Sequence, residues 1–165
     1  MSTWPDTRIL DLLGIEVPII QAPMAGATTT AMVIAAQQAG ALGSMPAAAL
    51  SLEQLREALA LIRQANHAPL NVNFFCHQPP DVDDARDQAW KALLQPYYHE
   101  LGADFDAPTP VSNRAPFNDA ACQVVEAFRP EVVSFHFGLP EKSLLDRVKA
   151  TGAKVLSSAT TVEEA

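Results

Sequence analysis

Short apolar runs alternate with amphipathic stretches along most of this chain. The run at 18–24 (Pro-Ile-Ile-Gln-Ala-Pro-Met) begins as a strand and breaks at Gly26. The threonines at 28–30 offer hydroxyls to start a helix over 31–39, and Gly40 stops it. A second short strand is expected over 41–45. Ser51 with Gln54 has the spacing of a capping box, and the helix it opens carries Leu52, Leu55, Leu59 and Ile62 on one face. The third strand, 70–76, is β-rich at Phe74 and Phe75. A helix over 83–101 follows, expected to turn Trp90, Leu93, Leu94 and Tyr97 inward. The proline-rich piece 107–116 reads as a loop. Asn118 caps a helix over 119–128 that Arg129-Pro130 stops. The fourth strand is 132–137. Gly138-Leu139-Pro140 turns into a helix through Ala150, Gly152 ends it, and the fifth strand is 154–158.

Strands that alternate with helices predict βαβ crossovers and a parallel α/β sheet. Such a sheet is either an open doubly wound fold or a closed barrel. No GxGxxG follows the first strand, which weighs against a dinucleotide-binding fold. Near the end, Thr160 with Glu163 and Thr161 with Glu164 each have the Thr-x-x-Glu spacing of a helix start. A helix announced where the chain stops reads as truncation. Five strands with four crossovers are a little over half of an eightfold barrel, which needs ~250 residues. A half barrel leaves two sheet edges and an apolar interior uncovered, so inactivity, self-association or pairing with a missing half is expected.

The net charge of −8 leaves no basic patch to neutralise phosphates, and so excludes nucleic acid and an anionic membrane as main partners. Cys76 and Cys122 stand far apart with no metal spacing, which fits two reduced thiols. The start Met1-Ser2-Thr3-Trp4-Pro5-Asp6 lacks the basic and apolar regions of a signal peptide, and no apolar run reaches the ~20 residues of a membrane span. A cytoplasmic protein is expected.

Ligands of parallel α/β folds bind at the carboxyl ends of strands. There the sequence places Gln21-Ala22-Pro23-Met24-Ala25-Gly26, Asn71 and Asn73, His136-Phe137-Gly138, and Ser157-Ser158-Ala159-Thr160-Thr161. The first segment is either an ordinary turn or backbone laid against a flat aromatic ring, with Pro fixing φ and Met24 as a polarisable wall. Asn71 and Asn73 share one strand face, either as an internal hydrogen-bond network or as contacts to the polar edge of a cofactor. His136 is either a satisfied core residue or a ligand contact. The hydroxyls at 157–161 either cap a helix or suit an anion such as phosphate. His67, His77 and His99 have no metal spacing, and no Ser-His-Asp or Cys-His set assembles.

Taken together, the 21–26 segment, Asn71-Val72-Asn73-Phe74-Phe75-Cys76-His77, the 133–140 segment Val-Ser-Phe-His-Phe-Gly-Leu-Pro and the 157–165 segment resemble the nitronate monooxygenase family in order and spacing. The match covers nearly the whole chain. The first motif is shared with related flavin barrels, whereas the Asn-Phe-Phe-Cys-His and His-Phe-Gly-Leu-Pro pieces are more specific.

The resemblance implies an FMN-binding (β/α)8 TIM barrel, present here as strands 1–5 of one incomplete domain over 1–165. It implies oxidation of an alkyl nitronate, such as propionate 3-nitronate, by O2 to a carbonyl product and nitrite or nitrate. Carried over by position, Ala22, Pro23 and Met24 line the flavin ring, Asn73 hydrogen-bonds it with Asn71 as the lesser contact, and Ser158 lies on the cofactor side. His136 faces the substrate in a supporting role. The family's main catalytic His sits in a Glu-Ala-Gly-Gly-His-like segment after the next strand, and that segment and the later glycine-rich phosphate loops are absent here, placing them beyond residue 165. Two alternatives stand beside this reading: an NAD(P)H-dependent enoyl reductase on a related flavin barrel, and a non-catalytic α/β binding fragment.

Overall fold

The computed structural model describes residues 4–79, 81, 83–108 and 114–165. Two compact units are present, one built from Met1–His77 with Asn113–Ala165 and the other from Gln78–Ser112. In the first unit the elements run α1 (Arg8–Leu13), α2 (Thr30–Gln38), β1 (Gly43–Pro46), α3 (Leu52–Ala65) and β2 (Leu70–Phe75). After the second unit, which holds α4 (Asp84–Leu101), come α5 (Asp119–Phe128), β3 (Val132–His136), α6 (Lys142–Ala150) and β4 (Lys154–Ser157).

The strands form one parallel sheet in the order β1-β2-β3-β4. Each crossover therefore moves one strand further in the same direction, without the reversal of a doubly wound sheet. Right-handed crossovers that never reverse put their helices on one side, the arrangement of consecutive staves in a β/α barrel.

Local chemistry starts these helices where the sequence predicts. Ser51 accepts from the Gln54 amide while the Gln54 side chain accepts from Ser51 N–H, a complete capping box. Asn118 caps α5 through Ala121 N–H, and Thr29 caps α2 through Met32 N–H. Arg129 ends α5 in the left-handed region, φ 44°, next to Pro130, which disfavours helical backbone before it.

Alternate strand residues then divide the two faces. Met45, Val72, Phe74, Val133 and Phe135 meet Val33, Leu55, Leu59, Ile62, Val124, Val125 and Val148 from the helices in one buried core. Each such side chain contributes roughly 1.5–3 kcal/mol on leaving water. On the opposite face, Leu42, Val132 and Leu156 pack with Leu13 and Ile15. The segment carrying α1 thus plugs the amino-terminal end of that face. Nothing in the hydrophobic pattern pointed to α1, whose single turn and a half is too short to show a period.

The segment 18–24 corrects the expected first of five strands. It makes one parallel bridge, Ile20 to Leu42, supported by Gln21 N–H to Leu42 O and Leu42 N–H to Ile19 O. Pro18 and Pro23 bracket it and supply no N–H, which stops the ladder at either end. Ile19 and Ile20 are 54% and 42% exposed, so the apolar run is not buried on both faces. The sheet has four strands, with 18–24 in the place of a fifth at the β1 edge.

Two other expectations differ. Trp90, Leu93 and Tyr97, expected to point inward, are 64%, 69% and 59% exposed, and α4 has no buried residue. Within its own unit, the helix holds Phe105 by an edge contact to Tyr98 and by Lys91 over the ring. The helix announced after 158 is a turn: Thr161 Oγ1 accepts from Glu164 N–H, while the Glu164 carboxylate accepts from Thr160.

Gly43 marks the closest approach of β1 to α2. A Cβ there would lie 2.7 Å from Val33 O and 2.8 Å from Val33 Cγ1. Gly43→Ala should therefore destabilise the fold by about 1–3 kcal/mol, read as a lower urea midpoint with an unchanged slope.

Candidate active site

The face of the sheet turned away from the helices carries an apolar set, Leu42, Val132 and Leu156, and a polar layer, Ser44, Asn71, Asn73 and Ser134, all four of them buried. Strand register brings them together, because Ser44 pairs with Asn71 and Asn73 with Ser134. Asn73 donates from Nδ2 to Ser134 Oγ at 2.9 Å and to its carbonyl at 3.2 Å. Asn71 donates to Ser44 Oγ at 3.0 Å. Asn71 Oδ1, in a side chain only 2% exposed, has no hydrogen-bond partner. A buried acceptor left unpaired costs about 1–3 kcal/mol, so this oxygen is a place where a donor would be held.

Asn71 is also among the residues that line a cavity of about 180 Å³ at the carboxyl ends of β3 and β4. Ile20, Pro23 and Leu156 give it apolar walls, and Asn71, Ser134, His136 and Ser158 give it polar ones. His136 Nδ1 lies 3.1 Å from Ser158 Oγ. Of the residues singled out in the sequence, the cavity gathers Pro23, Asn71, His136 and Ser158. Ala22 and Met24 lie on the exposed turn beside it, and Asn73 is not among its lining residues, its amide nitrogen engaged with Ser134.

The turn that carries Pro23 is fixed by the side chains of Gln21 and Thr28. Gln21 Oε1 accepts from Ser44 N–H at 3.0 Å, and its amide nitrogen donates to the Ala22 carbonyl and to Thr28 Oγ1. Thr28 Oγ1 in turn accepts from Met24 N–H at 3.1 Å. Gln21 thereby ties the turn to the first residue of the polar layer. Its only sequence signal was a polar side chain inside an apolar run.

Next to His136 the chain takes an uncommon backbone. Phe137 has φ +65°, a left-handed conformation that is a genuine outlier for a bulky residue, and its ring is 64% exposed. The ring stacks edge-on against Phe75 at 4.9 Å and neighbours His77 and His136 at 6.4 Å each. Strain of this kind concentrates at ligand-contacting positions. The aromatic group stands at the carboxyl ends of β2 and β3, beside the cavity.

Cys76 contributes structure here. Its N–H donates to His136 O at 2.9 Å, and burial pushes its thiol up to about 11. A thiol so placed is neutral at physiological pH and unsuited to nucleophilic attack. Among the described residues no group of three metal-ligating side chains assembles, and no helix is long and apolar enough to cross a membrane.

The nitronate monooxygenase sequence profile matches residues 6–165. The chain is 38% identical over 158 residues to a nitronate monooxygenase of Paraburkholderia phytofirmans, covering 95% of this chain and 43% of that protein. It is 40% identical over 161 residues to one of Pseudomonas aeruginosa, covering 96% and 45%. Among solved structures, a nitroalkane oxidase from Streptomyces ansochromogenes superposes with a TM-score of 0.80 at 29% identity, over 94% of this chain and 43% of that one. FabK from Thermotoga maritima superposes at 0.63 and 25% identity, over 93% and 37%. The chain thus spans less than half the length of the relatives it matches.

The half-buried thiol of Cys76 gives a direct check on this part of the fold. With Cys76 raised to about 11, the folded protein should react slowly with a thiol reagent at pH 8, and the rate should climb as pH rises towards 11. Cys122, fully buried, should not contribute. Rapid stoichiometric labelling at pH 7 would show that the β2 end is open.

Proposed function

The chain belongs to the nitronate monooxygenase family, and from that premise we propose that it supplies the amino-terminal part of an FMN site in which an alkyl nitronate is oxidised by O2 in the cytoplasm. The observation that carries this reading is the cavity that gathers Pro23, Asn71, His136 and Ser158 at the carboxyl ends of the strands.

The residues fit a flat, polar-edged ring. Pro23, Ile20 and Leu156 offer an apolar surface, and Asn71, Ser134, His136 and Ser158 offer polar groups to the ring's edge. Asn73 engages Ser134, itself a lining residue, and Ala22 and Met24 extend the wall along the turn. A bound flavin would supply the oxidation chemistry, accepting an electron from the substrate and passing it to oxygen. The chain's own work is to bind, orient and shield. His136 offers an imidazole nitrogen to an anionic substrate, and the Phe75–Phe137 pair offers an apolar surface beside it for an alkyl group. Products are the carbonyl compound and nitrite or nitrate. The main proton-accepting His expected of the family is not assigned to any residue of this chain.

A chimera tests this, with residues 6–165 replacing the matching segment of the Pseudomonas aeruginosa relative. It should bind FMN and consume O2 with propionate 3-nitronate. His136→Ala in that chimera should lower kcat/KM by roughly 10- to 100-fold, the scale of one lost charge-assisted contact. Flavin-dependent oxidation of NAD(P)H with no response to nitronate would replace this reading with the reductase one.

A further inference from the structure

Ser158, expected on the cofactor side, has a hydrogen-bond partner in the same cavity. Its Oγ lies 3.1 Å from His136 Nδ1, and both residues line the same cavity. Sheet register sets this pair. Ser157 is the β4 partner of Phe135 on β3, so the next residue on each strand, 158 and 136, falls side by side on the opposite face. The His136 ring has Phe75 at 6.3 Å and Phe137 at 6.4 Å as its other ring neighbours, and neither offers a hydrogen bond to its nitrogens. Among the described residues, Ser158 is thus the one group that fixes which edge of the imidazole points where.

A hydroxyl both donates and accepts, and its hydrogen rotates to suit. It can hold Nδ1 whether or not that nitrogen carries the proton. The other nitrogen, Nε2, is then the one left for a ligand. We propose that Ser158 is a positioning residue that holds His136 by Nδ1, so that Nε2 meets an oxygen of an anionic substrate. The identity of that anion rests on the nitronate reading, whereas the pairing does not.

The full chain labelled with 15N-histidine tests both parts by NMR, with His136→Gln assigning the resonances. Nitrate, a planar anion carrying the O–N–O edge of a nitronate, is the probe. Ser158 is exposed, so Ser158→Ala should leave the fold intact. It should shift His136 Nδ1 and weaken the nitrate response of the His136 ring by about three- to tenfold, the scale of one hydrogen bond, and Ser158→Thr should restore both. Unchanged His136 resonances in Ser158→Ala would overturn the positioning role. A shifted Nδ1 with no nitrate response in the unsubstituted chain would keep that role and overturn the anionic-substrate reading.

Discussion

A parallel strand hands alternate side chains to opposite faces, and here that alternation separates folding from chemistry. On β2, Val72 and Phe74 go to the helices and are buried with Leu59, Val125 and Phe135. Asn71, Asn73 and Phe75 must then go to the other side. A one-residue slip in register would exchange the two sets, putting amides into the apolar core and phenyl rings into the polar layer. The tight packing at Gly43 and the α1 plug hold register at the amino-terminal end, and Glu131, accepting from both Arg63 and the Leu70 N–H, ties β2 to the start of β3. The carboxyl end, where the cavity lies, inherits its geometry from constraints at the far end of the same strands.

The inner face also shows how a polar layer is tolerated in a buried setting. Ser44, Asn71, Asn73 and Ser134 lie side by side because the register pairs them, and amide-to-hydroxyl hydrogen bonds offset most of their desolvation. Asn71 Oδ1 stays without a partner, in a residue that lines the cavity. Phe137 repeats the pattern in the backbone: a bulky residue held in the left-handed region directly after the last residue of β3. Locally unfavourable features thus collect at one end of the sheet while the rest obeys ordinary packing rules.

Much of the fold was legible because its signals are local. Ser51 with Gln54 and Asn118 mark helix starts by hydrogen bonds spanning only three residues. The β2 and β3 runs are strongly apolar, and their flanking glycines and prolines punctuate them. What the sequence could not disclose depended on partners distant in the chain. The 18–24 run has the composition of a strand, but two prolines and a single neighbouring strand reduce it to a bridge. The apolar stripe of α4 is periodic, yet periodicity does not say that anything covers it. Asn71 and Asn73 are indistinguishable by spacing. Only their neighbours, Ser44 for one and Ser134 for the other, tell them apart. Gln21 and Ser158 likewise acquire a role from what they touch.

The choice of a hydroxyl beside His136 bears on the charge of what the site can take. A carboxylate partner would hold the same Nδ1 more strongly, but it would add a negative charge close to the cavity and oppose an anion there. A backbone carbonyl would accept only, committing the proton to Nδ1 and leaving Nε2 as a lone pair that repels an anionic oxygen. A serine imposes neither condition. It leaves Nε2 free to carry a proton towards negative charge while still fixing the ring, and the chain's overall acidity makes that local neutrality the more consequential. The apolar walls of Ile20, Pro23 and Leu156 add no charge of either sign, so the polarity of the pocket is set by His136, Asn71 and the hydroxyls around them.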